Sequence, residues 1–264
     1  MISRVLHFLK NLTNCINSVG LKNTIKIFFK VKNSRRGITQ ITLNDYEFLI
    51  RNKIDIGASY NFYKKQFIIK NELENPVEYI IDAGANIGQQ TIRFINSYKS
   101  LKKIIAVELD SKTFEYLKKN TKNLKKISLV NKALSNSNME RFYLPSNNSE
   151  MSKITNEKNG QKIESITINE IIKKYDLPRI DLLKLNIEGE EPKLFDDDIS
   201  WLSITNCIAF NNANLSCFSQ EMLKKIFAYG NYKVFNLGQF IVLIKSDLSW
   251  TAKYEYSDFK SFRY

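Results

Sequence analysis

The segment Ile80-Ile81-Asp82-Ala83-Gly84-Ala85-Asn86-Ile87-Gly88 is where residue types and spacing first converge on chemistry. An apolar run ends in an acid, and two glycines four apart open a helical pattern. Gly84 permits a tight turn and a close approach of backbone to a ligand. The GxxxG spacing differs from the GxGxxG of dinucleotide sites, and no Gly-Lys-Ser/Thr follows, so a phosphate cradle is disfavoured. An acid at a strand end repels a pyrophosphate but suits a ligand with an ammonium and hydroxyls. A second acid, Glu108, ends the next apolar run, 26 residues beyond Asp82. An acid at about that distance from a glycine turn can accept both hydroxyls of a ribose. Taken singly, Gly84 reads equally as a packing turn and Glu108 as a surface acid. Together they point to a nucleoside ligand with a positive centre, a description that S-adenosylmethionine (SAM) fits.

The elements that must hold these residues follow from periodicity. Val77–Asp82, Lys103–Glu108, Ile127–Asn131, Ile180–Ile187 and Cys207–Asn211 are short apolar runs that read as strands. Helical patterns lie between them at Gly88–Ser97, Ser111 to about Asn120, Ile163–Tyr175 (strand into helix) and about Ser219 to Tyr229. The chain then gives a hairpin, Tyr232–Phe235 and Phe240–Lys245, around a turn at Asn236-Leu237-Gly238-Gln239. Strands alternating with helices imply a mainly parallel sheet covered on both faces, an α/β Rossmann-like architecture. Residues 38–70 alternate well enough for two strands around a polar turn, and the interval around Asn147–Gly160 reads as a long loop. The expected organisation is a basic helical arm and strand pair over 1–76, a ligand-binding domain over 77–248 and a tail over 249–264.

Composition narrows the function classes. The chain has 264 residues, 43% hydrophobic and 12% aromatic, with 9 Gly and 4 Pro, so it can bury a core and is not globally disordered. No apolar run approaches the roughly 18 residues of a membrane span. Three cysteines without a CxxC pair and one histidine, His7, leave no zinc site and no disulfide framework, so no metal is expected. These features fit a reducing cytoplasm. Eight of the basic residues fall in residues 1–44, which hold no Asp or Glu, so that segment carries +8 of the +13 net charge. Such an arm attracts an anionic membrane surface, an acidic polysaccharide or RNA, or is simply a solvated face. Val5, Phe8, Leu9, Leu12, Ile16 and Val19 recur at helical spacing, as for a helix packed on its own domain or lying on lipid. Peripheral association with the inner face of an anionic membrane through residues 1–36 is therefore one expectation.

The motif blocks resemble those of the FkbM family of SAM-dependent methyltransferases. The resemblance rests on Asp82–Gly88 with Thr91, Ala106-Val107-Glu108, Asn131-Lys132-Ala133-Leu134-Ser135 and Asp181-Leu182-Leu183-Lys184-Leu185-Asn186-Ile187-Glu188-Gly189-Glu190-Glu191. It implies the class I methyltransferase fold, seven strands with the last antiparallel and helices on both faces. It also implies that Asp82, Gly84, Asn86 and Gly88 line the methionine end of SAM, Glu108 holds the ribose, and Lys132 and Ala133 lie near the adenine. Family members commonly methylate hydroxyls on sugars of surface polysaccharides or natural products, so a small-molecule or glycan acceptor is expected. Two departures stand out: Asn186 where the family usually has Asp, and Asn211-Asn212 where the strand commonly ends in Glu and His. An amide hydrogen-bonds but cannot take a proton or replace a hard carboxylate ligand. Glu188 is then the acid best placed to act with Asn186 on the acceptor, while Glu190 and Glu191 read as helix N-terminal acids. The alternative is a catalytically impaired SAM-fold scaffold protein in the same pathway. A nucleic-acid methyltransferase is disfavoured, because no Asn/Asp-Pro-Pro-aromatic motif and no nucleic-acid module is present.

Overall fold

A computed structural model describes residues 37–43, 46–51, 66–70, 75–137, 141–144, 153–155, 160–211, 219–237 and 239–255, with Ile16, Ile25, Phe29 and Asp55. The chain divides into two compact units, Phe67–Tyr254 and a second formed by Met1–Gln66 with Glu255–Tyr264. In the second unit, strands Ile38–Leu43 and Tyr46–Arg51 pair antiparallel, Leu43 opposite Tyr46. The basic arm and its apolar stripe lie outside the described residues apart from Ile16, Ile25 and Phe29, as does the polar turn Asn44-Asp45. Among the described residues no helix is long and apolar enough to cross a membrane.

The larger unit is built on a seven-stranded sheet. Its strands are β1 (Tyr79–Ala83), β2 (Lys103–Val107), β3 (Ile127–Val130), β4 (Leu182–Leu185), β5 (Cys207–Asn211), β6 (Tyr232–Leu237) and β7 (Phe240–Lys245). They lie in the order β6-β7-β5-β4-β1-β2-β3. All neighbours pair parallel except β7, which is antiparallel to both β5 and β6. This is the α/β sheet expected from the alternation of elements, with its last strand antiparallel. The hairpin turn is tighter than expected: β6 runs on to Leu237, which pairs directly with Phe240.

Period-two alternation distributes each apolar run between two cores. Ile81, Ile105, Leu183 and Ile208 enter one cluster with Ile168 and Ile171 of helix α3 (Ile168–Tyr175) and Met222 and Ile226 of helix α4 (Gln220–Phe227). Ile80, Ile104, Leu182 and Ala209 enter the other, with Phe94 of helix α1 (Gln89–Ser97). Helix α2 (Ser111–Thr121) adds Leu117 against Ala85 and Ala106. With both faces covered, the strands need no polar alternation. The helix ends are set locally. Asp110 accepts from the Thr113 amide at the start of α2, and Thr167 with Glu170 closes a capping box on α3.

The interval read as a long loop carries structure. Arg141–Leu144 pairs antiparallel with both Lys153–Thr155 and Gln161–Ile163 in a small three-stranded sheet. Strands of three or four residues are too short to show the alternation that reveals a strand in sequence. Ala133–Leu134 pairs parallel with Ser165–Ile166. Thr251–Glu255, expected in a tail, is a strand paired with Gln66–Lys70.

The amino edge of the sheet is tied by one buried acid. The amides of Glu78 and Tyr79 donate to Asp181 Oδ2 at 2.8 and 2.9 Å, while Arg179 Nε and Asn206 Nδ2 donate to Oδ1 at 2.7 and 3.0 Å. Asp181 thus joins the starts of β1, β4 and β5, and its loss strands buried donors. Asp181→Ala is expected to lower unfolding stability by about 3 kcal/mol in urea titration; an unchanged midpoint would show that the edge is held by other contacts.

Candidate functional site

At the carboxyl end of β1 the chain turns at Gly84, whose φ is 72°. A Cβ there would lie 1.9 Å from the carbonyl oxygen of Asn186, the residue that follows β4. Only glycine lets the two strand ends approach so closely. The turn is then saturated by backbone bonds. Gly84 N and Ala85 N both donate to Val107 O, at 3.0 and 2.9 Å, and Asn186 N donates to Ala83 O at 3.1 Å. Asn86 takes a left-handed conformation (φ 52°), and its amide donates to Glu108 Oε2 at 2.8 Å.

Glu108 is thereby brought to the turn, as the sequence spacing requires. Its other oxygen, Oε1, accepts from the Asp110 amide at 2.9 Å. Each oxygen keeps a second lone pair for a further donor. Burial pushes the Glu108 carboxyl up to about 7, reinforced by the Asp110 charge and opposed by the two amides and the Lys184 ammonium. Asn131 at the end of β3 donates to the carbonyls of Glu108 and Leu109, at 2.9 and 3.0 Å, and so fixes this corner.

Asp82 occupies a different place from the ligand-lining one implied by resemblance. It is completely buried. Its Oδ2 accepts from the Thr91 hydroxyl at 2.6 Å and its Oδ1 lies 3.0 Å from the Lys184 ammonium. A buried carboxylate requires such partners, and here they turn it inward to brace the loop. Gly88 opens α1 with φ 98°, where a Cβ would meet Leu117 Cδ1 at 2.9 Å. Asn120 Nδ2 donates to Ile87 O at 2.9 Å and holds the loop to α2. Four buried side-chain atoms in this stretch have no hydrogen-bond partner: Asp82 Oδ1, which has only its ion pair with Lys184, and Asn86 Oδ1, Gln89 Nε2 and Gln90 Nε2, which have neither. One acceptor and two donors, buried and unpaired, are a standing cost that a polar ligand would relieve. The sequence reading found Asn86 but missed Gln89 and Gln90, whose only signal was a pair of amides opening a helix that sends Ile92 and Phe94 to the core.

Lys132 and Ala133 lie just beyond β3. The Lys132 ammonium pairs with Glu164 at 2.9 Å, and Ala133 is buried in the short parallel strand pair. On the other side of the turn, Asn186 and Asn211 are joined, Asn211 Nδ2 donating to Asn186 Oδ1. Asn212 lies outside the described residues. Glu188 is exposed, with φ 57°, and is followed by Gly189 at φ 96°. Glu191 holds that bend, its two oxygens accepting from the Ile187 and Gly189 amides at 2.8 Å each. Glu190 instead pairs with Lys193 at 2.7 Å. Both acids stand at the opening of the 3-10 turn Glu191–Phe195, but Glu191 acts on the bend before it rather than on a helix end. Among the described residues no cluster of three or more His, Cys, Asp or Glu could hold a metal ion.

Gly84, Glu108 and Asn186 each follow the carboxyl end of a strand, β1, β2 and β4, where the sheet reverses its strand order between β1 and β4. Open α/β sheets bind ligands there, outside the carboxyl ends of the strands. Gly84→Ala is expected to cost about 1–3 kcal/mol of stability through the forced clash with Asn186 O, read by urea unfolding. A stability equal to the parent chain would refute the close approach.

A sequence model of the methyltransferase FkbM domain matches residues 82–210, about half of the chain. A search of curated proteins gives no match. Among solved structures, the methyltransferase FkbM of Methylobacillus flagellatus KT is 15% identical, with a TM-score of 0.48, over 63% of this chain and 43% of that one. The present chain therefore spans less than half the length of that protein. M. capricolum TrmK, solved with S-adenosylhomocysteine, is 14% identical over 65% of this chain and 63% of its own, with a TM-score of 0.37. M. jannaschii TYW2, solved with AdoMet, is 13% identical over 84% and 88% of the two chains, with a TM-score of 0.38. The Gly84 turn, Glu108 and Asn186 all lie inside residues 82–210, the stretch of the chain that matches the methyltransferase FkbM domain.

Proposed function

We propose that this chain is a SAM-dependent O-methyltransferase acting on a sugar or another small hydroxyl acceptor, in surface glycan or natural product biosynthesis. The observation that carries the cofactor reading is Glu108, held by two amides beside the Gly84 turn with a lone pair left on each oxygen. That geometry suits two hydroxyl donors one carbon apart. The unpartnered Asn86 Oδ1 and the Gln89 and Gln90 amides add an acceptor and two donors, matching an ammonium and a carboxylate. Asn86, Gln89, Gln90 and Glu108 therefore fit the two polar ends of SAM, and Lys132 and Ala133 are assigned to the adenine side by the family resemblance. When bound, SAM supplies a methyl group activated by its sulfonium.

The chain's own work is alignment. The Gly84 turn and Asn186 are in contact, so a ligand on the turn and an acceptor at the end of β4 are held at a fixed separation. Such alignment supplies much of the rate when the methyl donor is already activated. Asn186, oriented by Asn211, offers hydrogen bonds to the acceptor without taking its proton. Glu188 is the carboxylate on the bend that follows, set there by Glu191, and is the assigned proton acceptor. The neutral Asn186–Asn211 pair favours one competing reading, a SAM-binding scaffold without turnover. Methyl transfer to any acceptor would dismiss it.

The test is calorimetric titration with S-adenosylhomocysteine. Glu108→Ala is expected to weaken binding at least about tenfold, or 1.4 kcal/mol. Ribose hydroxyls donate to the ionised carboxylate, so binding must release the proton that Glu108 holds below about 7. Affinity is expected to be level above pH 7 and to fall about tenfold per pH unit below it. Unchanged affinity in Glu108→Ala, or a flat pH profile, would remove Glu108 from the site.

A further inference from the structure

Lys184 is the one charged residue of β4, set between Leu183 and Leu185 and only 3% exposed. An ammonium so placed is tolerated only when its hydrogens and its charge are met. Lys184 opposes Asp82 in the register of β4 and β1, and its Nζ lies 3.0 Å from Asp82 Oδ1. The same Nζ donates to Gly84 O at 2.8 Å and to Ala83 O at 3.1 Å. Two of its donors thus find the carbonyls of the turn itself, and its charge faces Asp82.

That arrangement clamps the turn from below. The carbonyls of Ala83 and Gly84 are drawn to Lys184, while the amides of Gly84 and Ala85 go to Val107 and that of Asn86 goes to Glu108. We propose that Lys184 is a positioning residue for the cofactor: through the Ala83 and Gly84 carbonyls it fixes the turn beside the Glu108 carboxylate that receives the ribose. The inference rests on the ribose reading of Glu108. Of the charged groups acting on Glu108, Asp110 at the head of α2 opposes its ionised form, and Lys184 from β4 favours it. Asp82, from β1, and the Thr91 hydroxyl, from α1, hold Lys184 in the pair.

The experiment is the pH profile of S-adenosylhomocysteine affinity, by calorimetry from about pH 5.5 to 8.5, for the parent chain, Lys184→Met and the double variant Asp82→Asn/Lys184→Met. The double variant removes both buried charges and so leaves no orphaned carboxylate to unfold the protein. Lys184→Met is expected to move the profile's midpoint up by about half a pH unit or more and to weaken binding at pH 7 at least about fivefold. The double variant shifts in the same direction by less, because Asp82 leaves with its partner. A residue that served packing alone would lower affinity equally at every pH. A midpoint unmoved in Lys184→Met, or in the double variant where the single one does not fold, overturns the inference. Failure of the parent chain to bind would instead overturn the cofactor reading beneath it.

Discussion

At Gly84 the chain leaving β1 passes closer to the chain leaving β4 than any side chain permits. A single added carbon would meet the Asn186 carbonyl at 1.9 Å. The residues of the candidate site are arranged around that approach. It lies where the strand order reverses, with β2 and β3 on one side and β5, β7 and β6 on the other. Open α/β sheets bind ligands outside the carboxyl ends of their strands at such a reversal. Val107, Glu108 and Asn131 then meet the turn from the β2 and β3 side, and Asn211 meets Asn186 from the β5 side.

Buried charge is concentrated at the two ends of this central pair of strands. At the amino edge Asp181 takes four donors from β1, β5 and Arg179; at the carboxyl edge Asp82 takes Thr91 and Lys184. Between them the strands are purely apolar, alternating into the two cores. An unpaired buried ion costs several kcal/mol, more than the roughly 1.5–3 kcal/mol gained by burying one large aliphatic side chain. Each charge therefore fixes the position of its partners. The amino edge holds the sheet in register; the carboxyl edge holds the Gly84 turn in shape.

Much of this was legible in the sequence, because the features that matter are local or contiguous. Apolar runs of four to six residues between amphipathic helices gave the sheet and its direction, and Asp82, Gly84 and Glu108 stand at their ends. What escaped was of two kinds. Of the small sheet over residues 141–163, Lys153–Thr155 falls in the interval that composition reads as loop, and three residues are too few to show an apolar period. The orientation of charged side chains is the other. Asp82 has the position of a ligand-facing acid, yet Lys184, 102 residues later, turns it inward. Glu191 read as a helix-opening acid and instead braces the bend carrying Glu188. Both depend on which residues three-dimensional pairing sets opposite one another, and no local spacing records that.

The central claim is that the β1 turn and Glu108 form the seat of an adenosyl ligand. A crystal structure of the chain grown with S-adenosylhomocysteine tests it most directly. Both ribose hydroxyls are expected on the Glu108 carboxylate, with Asn86 Oδ1 paired to the ligand and Asp82 still held by Thr91 and Lys184. A ligand seated elsewhere, or a ribose making no contact with Glu108, would contradict it.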